Sequence, residues 1–315
     1  MTRQKKLKTL VARQLLDLSP LTQEFPDIVT WGVDCNHAIW VVLGCKSKTQ
    51  GKHHELRCSP VYGGDGNSFI QICRIKDDQV RRVSITEPEI RLSFIQPTAT
   101  GFLLADCRCF SDGDKVEANA VQYDWDGEEV KRLILGDGIE DLRTTPDGSI
   151  WAAYFDEGMF SGELPEIGCI GTPGLVCFNS DGEVHPDYDS REIGGFYIGV
   201  PYAANVVGDN SVWVYHYSKF PIEHFDERNR KSWEYGIGGA NGLAVDEDRV
   251  LLYADYEKQH RLRIVQLGSD GKAVVRSEKL LVNESGAYVK TRRSIGVGKN
   301  LYILRKKKIL VVDEW

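Results

Sequence analysis

Apolar residues along this chain alternate with polar ones in short runs, and the runs are broken at close intervals by tight-turn signals. The clearest unit is Ile139 to Tyr154, IEDLRTTPDGSIWAAY: a short apolar strand, a Pro-Asp-Gly turn, and a second strand opening on an aromatic residue. Asp-Gly between alternating apolar runs signals a hairpin, because glycine takes the positive φ that the turn requires. Similar units recur at Val29 to Leu43, Leu92 to Ala105, Ala203 to Tyr215, Asn241 to Ala254 and Arg293 to Leu304. Further strand pairs turn at Asp126-Gly127, Asp181-Gly182 and Asp270-Gly271. No stretch sustains the 3.6-residue apolar period of a helix, so the pattern predicts an all-β protein.

The repeat sets the architecture. Its second-strand anchors, Trp40, Leu104, Trp151, Trp213, Tyr253 and Tyr302, lie 64, 47, 62, 40 and 49 residues apart, close to one sixth of the 315-residue chain. Four strands and their loops need about 40–50 residues in known propeller repeats. The spacing therefore predicts one domain over residues 1–315, a six-bladed β-propeller with two hairpins per blade. After Tyr302 only one more strand, Lys308 to Asp313, fits before the end of the sequence. The last blade is a strand short, and the N-terminal segment, residues 5–17 with Leu7 to Leu16 at its heart, is the natural outer strand to complete it. Such closure removes the open edges that an incomplete ring would expose.

PDGSIW at Pro146 to Trp151 resembles the hairpin of NHL-type propellers and of streptogramin lyase, where Asp-Gly and an aromatic residue recur in each blade. NGLAVDEDRVLLYADY, from Asn241, is similar to a stretch of the gluconolactonase and senescence-marker-protein family of six-bladed propellers. That resemblance implies a divalent metal held in part by Asn241, with Glu140 in the equivalent register of its own blade. The matching positions elsewhere read Val29, Ser93, Tyr202 and Thr291, so two of six inward positions carry ligating side chains.

Charge narrows the partners. The formal net charge is −7, which argues against a nucleic-acid binder. Residues 1–13 and 290–315 together carry +11, leaving −18 on the middle of the chain. No run approaches the roughly 18 apolar residues that span a bilayer, and Arg13 and Asp17 interrupt the apolar stretch near the N-terminus where a signal peptide would need continuity. The eight cysteines show no disulfide-framework spacing. The expectation is a cytoplasmic monomer with reduced thiols.

Candidate chemistry falls into three groups. Asp137, Glu140 and Asp141, at the entry to an inner strand, offer oxygen ligands that suit Ca²⁺ or Mg²⁺, and Asn205 and Asn241 could join them if the inner strands converge. The plainer alternative is a turn and solvated carboxylates. Phe155 and Phe160, and Phe220, His224 and Phe225, read as aromatic loops suited to partner contact, while Arg305, Lys306, Lys307 and Lys308 form a basic turn that could steer an anionic partner or stand as a solvated hairpin. Cys45, His53, His54 and Cys58 match no standard zinc spacing and read as a surface insertion, and Cys107 and Cys109 as small core residues facing one side of a strand. There is no Gly-x-Ser-x-Gly elbow, Walker loop or His-Glu-x-x-His. Two functions stay open: a non-catalytic propeller binding a protein or small ligand at one face, or a metal-dependent hydrolase or lyase acting through Glu140, Asp141, Asn205 and Asn241.

Overall fold

A computed structural model describes the chain except residues 1–6, 45–60, 63–68, 87, 89, 161–163, 166, 186–197, 209–210, 227–228 and 292. The insertion carrying Cys45, His53, His54 and Cys58 therefore lies outside the described residues, as do Lys5 and Lys6. The chain divides into two compact units. The first comprises Met1–Ser19, Tyr202–Val207 and Ser211–Trp315, the second Pro20–Pro201 and Gly208–Asn210.

The chain opens with β1 (Lys8–Asp17), and the second unit then holds three antiparallel meanders. The first runs β2 (Asp27–Val33), β3 (Ile39–Gly44), β5 (Phe69–Lys76) and β6 (Gln79–Thr86). The short β4 (Val61–Tyr62) is set between β3 and β5 and paired with β7 (Ile90–Arg91). The second runs β8 (Phe94–Pro97), β9 (Gly101–Ala105), β12 (Ala120–Asp124) and β13 (Glu129–Leu133), interrupted by the small hairpin of β10 (Ser111–Asp112) and β11 (Lys115–Val116). The third has β14 (Ile139–Thr144), β15 (Ile150–Tyr154) and, after the five-residue helix α1 (Asp156–Phe160), β16 (Leu175–Phe178), with a single bridge from Phe178 to Val184 as its fourth rung.

The first unit repeats the plan. Its meanders are β17 (Pro201–Val206), β18 (Ser211–His216), β19 (Ile222–Asp226) and β20 (Asn229–Trp233), then β21 (Gly242–Asp246), β22 (Arg249–Tyr253), β23 (Arg261–Leu267) and β24 (Ala273–Asn283). The last has only β25 (Ser294–Val297), β26 (Asn300–Arg305) and β27 (Lys308–Val312) from the C-terminal segment, and β1 supplies its fourth strand. Arg13 faces Val311 and Asp17 faces Lys308 in an antiparallel ladder. The N-terminal half of β1 outruns β27 and pairs in parallel with β24, from Lys8 opposite Lys279 to Ala12 opposite Asn283. β1 thus pairs with β27 along one part of its length and with β24 along another.

The expected turns form. At Asp147-Gly148 the glycine takes φ +90° while Asp147 Oδ1 accepts the Ser149 N–H at 3.0 Å. At Asp126-Gly127 the glycine takes φ +89°, and Asp124 Oδ1 accepts from the backbone of Asp126 and Glu128. Burial grades across each meander. β3, β9 and β15 are buried at every position, whereas β6 and β13 keep exposed residues along most of their length. Strands buried on both faces need a neighbour on each side, and the cores lie accordingly between consecutive meanders. Trp40, Ile72, Phe102 and Tyr123 join the first two, Phe94, Leu103, Leu142, Tyr154 and Phe178 the next two. In the first unit Trp213, Tyr215, Leu243 and Leu252 form one core, and Ala12, Tyr253, Leu301 and Leu310 another. All six sequence anchors are buried.

Cys107 and Cys109 are buried as expected but follow β9 instead of lying on a strand, because Asp106 ends the ladder by donating its N–H to the Asn119 carbonyl. No helix among the described residues is long and apolar enough to cross a membrane.

Candidate functional site

In the second unit, one guanidinium ties together the chain around residues 106–109, the 136–139 turn and the start of α1. Arg108 Nε and Nη2 donate to the two oxygens of Asp137 at 2.8 and 3.0 Å, and Nη1 donates to Glu157 Oε2 at 2.8 Å. Asp137 Oδ1 also accepts the Cys109 N–H at 2.9 Å, and the N–H groups of Gly138 and Ile139 both donate to the Cys107 carbonyl. The hydrogen bond to Asp137, opposed by burial, holds the Arg108 pKa above its ordinary value. A Cβ placed on Gly158 would stand 2.2 Å from the Asp137 carbonyl oxygen, so glycine alone lets α1 approach the turn this closely.

Two of the expected carboxylates, Asp137 and Asp141, are thus held by arginine. Asp141 Oδ2 accepts from Arg143 Nε and Nη2 at 3.2 and 3.0 Å, its Oδ1 from the Leu142 N–H. Glu140 falls in a bulge between Ile139 and Asp141, outside the ladder to β15. A divalent cation at Asp137 or Asp141 would have to displace a guanidinium. Among the described residues no group of three or more His, Cys, Asp or Glu side chains is placed to hold a metal ion.

In the first unit, Asn205 is fully buried, and its amide fastens β17 to its neighbours. Nδ2 donates to the carbonyls of Leu243 at 3.0 Å and Gly298 at 2.7 Å, and Oδ1 accepts the Gly298 N–H at 2.8 Å. Asn241, half-buried, donates from Nδ2 to the Thr291 carbonyl at 3.2 Å, and its own carbonyl accepts the Ser294 hydroxyl.

The aromatic stretches differ from the expectation of loops. Asp156–Phe160 is a helical turn that leaves Phe160 68% exposed, while the Phe155 ring lies beneath the Arg108 guanidinium at 6.0 Å. Ile222–Asp226 is the strand β19, paired on both edges, which buries Phe225 in the core; Phe225 is not a surface contact. His224 stacks on Trp213 at 4.2 Å and shares a 2.7 Å hydrogen bond with the Ser211 hydroxyl, and burial lowers its pKa. Phe220 packs among Tyr202, Tyr215, Tyr217 and Tyr256, with Tyr217 and Tyr256 presenting their outer faces to solvent.

Sequence reasoning missed three features. Arg108 carried no motif, since its partners lie 29 and 49 positions away, and Arg143, two positions from Asp141, was not read as its counter-charge. On β19, Glu223 is fully buried against Arg230 Nη2 at 2.6 Å, with His216 Nε2 at 3.5 Å. Beside Arg108 lies a cavity of about 200 Å³, lined among others by Arg91, Asp106, Phe110, Glu117 and Asn119. The Arg91 guanidinium stands 4.5 Å over the Phe110 ring at its edge. Asp106 is buried in its wall, accepts the Ser93 hydroxyl at 3.0 Å, and has its pKa raised chiefly by desolvation. Burial also raises the Cys109 and Cys177 thiols to about 12, so neither is a thiolate near neutral pH.

At the basic turn, Arg305 and Lys308 close the β26–β27 hairpin and Lys306 takes φ +56°. The Lys307 carbonyl accepts the Leu18 N–H and Lys308 Nζ donates to Gln14 Oε1 at 2.8 Å, so half of the turn binds the N-terminal strand.

No protein-family model and no curated protein sequence matches the chain. Among solved structures it is similar to YCF48 bound to D1 peptide, at 14% identity and a TM-score of 0.47 over 97% of each chain. It is also similar to a structural-genomics target assigned as a gluconolactonase, at 14% identity and a TM-score of 0.46, covering 97% of this chain and 93% of that one. A streptogramin B lyase follows at 11% identity and a TM-score of 0.45, covering 91% and 94%. The likeness to these propeller proteins is one of fold.

Proposed function

We propose that the chain is a single six-bladed β-propeller, closed by β1, that binds a protein or small ligand at one face without catalysis. The repeat spacing and the pairing of the first strand with the last support the ring. The observation that carries the binding reading is the Arg108 platform. Its two carboxylates share one guanidinium, bidentate to Asp137 and singly bonded to Glu157, its loops are packed backbone to backbone, and beside it lie the Asp106 cavity and the exposed Phe160. Preformed concave sites with a few fixed polar groups are where ligands bind. In this reading the protein is a cytoplasmic monomer whose partner is neither nucleic acid nor membrane.

Calorimetric titration with CaCl₂ and MgCl₂, beside a partner-capture comparison of wild type and Phe160→Ser, tests it. The expected result is no saturable heat from either cation and a folded Phe160→Ser variant that loses the captured partner. Saturable cation binding that raises the melting temperature and disappears in Asp141→Asn would overturn it in favour of the metal-dependent enzyme.

A further inference from the structure

Around His260, in the first unit, three cations and one acid, Asp255, act on the imidazole. The imidazole packs against Tyr288 with ring centroids 4.3 Å apart and the planes tilted by 32°, and the His260 carbonyl accepts the Leu281 N–H at 2.8 Å, which fixes the residue against the end of β24. Arg305 Nη1 donates to the Tyr288 backbone carbonyl at 3.1 Å, tying a guanidinium to the residue that packs against His260. Lys258 and Lys290 are exposed, both act on His260 electrostatically, and neither has an acidic partner within 4 Å among the described residues. The nearest acids are engaged elsewhere: Asp255 by Arg261 at 3.0 Å and Arg263 at 2.7 Å, Glu278 by Arg263 at 2.7 Å, with Glu257 exposed at 3.9 Å from Arg261.

The imidazole adds a directed donor. Its Nδ1 is shielded from solvent and has no hydrogen-bond partner among the described residues. A shielded N–H without an acceptor costs more than a bare lone pair, so the neutral ring keeps its proton on Nε2. Desolvation, then Lys290, Lys258 and Arg261, lower the His260 pKa, with Asp255 opposing, which favours the neutral ring. A neutral N–H donor among unpaired lysines and an arginine suits an anion with several acceptor oxygens.

We propose that His260, Lys258, Lys290 and Arg305 form a binding site for a phosphate-class anion, free or carried as a phosphoryl group. The site is independent of the Arg108 platform, and its test does not touch that platform. Long-range ¹H–¹⁵N spectra of the histidine side chains, recorded during titration with inorganic phosphate at constant ionic strength, read it directly. The expected free protein shows His260 as the Nε2–H tautomer, and phosphate shifts its resonances saturably. Lys258→Ser/Lys290→Ser, with an unchanged melting temperature, weakens binding at least tenfold. A parallel titration with phosphoserine separates the sources: tighter binding than phosphate points to a phosphorylated chain, equal binding to the free ion. An Nδ1–H tautomer, shifts that never saturate, or equal binding by the double variant would overturn the proposal.

Discussion

At the scale of single residues, the chemistry of the second unit turns on arginines. Asp137 and Asp141 stand where the sequence placed carboxylates, but spacing along the chain says nothing of a guanidinium 29 positions away that arrives only when the meanders pack. The carboxylates were therefore legible and their charge balance was not. Removing one partner of a buried pair leaves the other charge stranded. Arg108→Ala is expected to cost about 2–3 kcal/mol in chemical denaturation, below the fully buried range because the Arg108 side chain is 24% exposed. Asp106 makes a prediction of opposite sign. Its folded pKa is raised from 3.8, mainly by desolvation, so it favours the fold below the unfolded value and loses that contribution as pH rises through the folded one. Asp106→Asn, which keeps an acceptor oxygen for Ser93, is expected to unfold at higher denaturant than wild type at neutral pH, with the advantage gone below about pH 3.8.

At the scale of elements, the hairpins were readable because each turn carries its own chemistry: an Asp or Asn side chain caps the backbone and a glycine accepts the positive φ. The β19 strand was misread as a loop, since Pro221 precedes it and its alternation is obscured by Glu223, whose charge is buried against Arg230. A buried acid looks like a surface residue until its partner is known. The tightest constraint between elements is a glycine whose turn signal is silent. A Cβ on Gly296 of β25 would lie 1.8 Å from the Leu243 carbonyl oxygen, with the Asn205 amide 3.0 Å away. Gly296→Ala is expected to lower stability by about 3 kcal/mol or more, as overpacking does when backbone must shift. Asn205→Ala is expected to cost about 2–3 kcal/mol by leaving the Leu243 and Gly298 groups unsatisfied. Both are measured by equilibrium unfolding.

At the scale of the whole molecule, the account depends on the first strand completing the last meander. The expectation came from counting: one strand too few after Tyr302, one spare before the first repeat. It could not foresee that β1 also adds in parallel to β24, because register along a second edge depends on the relative length of strands, ten residues in β1 against five in β27. β1 buries Ala12, Leu18 just after it is also buried, and the strand joins the edges of two meanders. Its loss should cost about 5 kcal/mol or more, comparable to the whole stability of a typical domain. The direct measurement is thermal unfolding of the chain lacking residues 1–18, with and without a synthetic peptide of those residues added in trans. The account predicts a collapse of the melting transition on truncation and its recovery as peptide is titrated in. An unchanged melting temperature in the truncated chain, or a lost transition that the peptide does not restore, would contradict it.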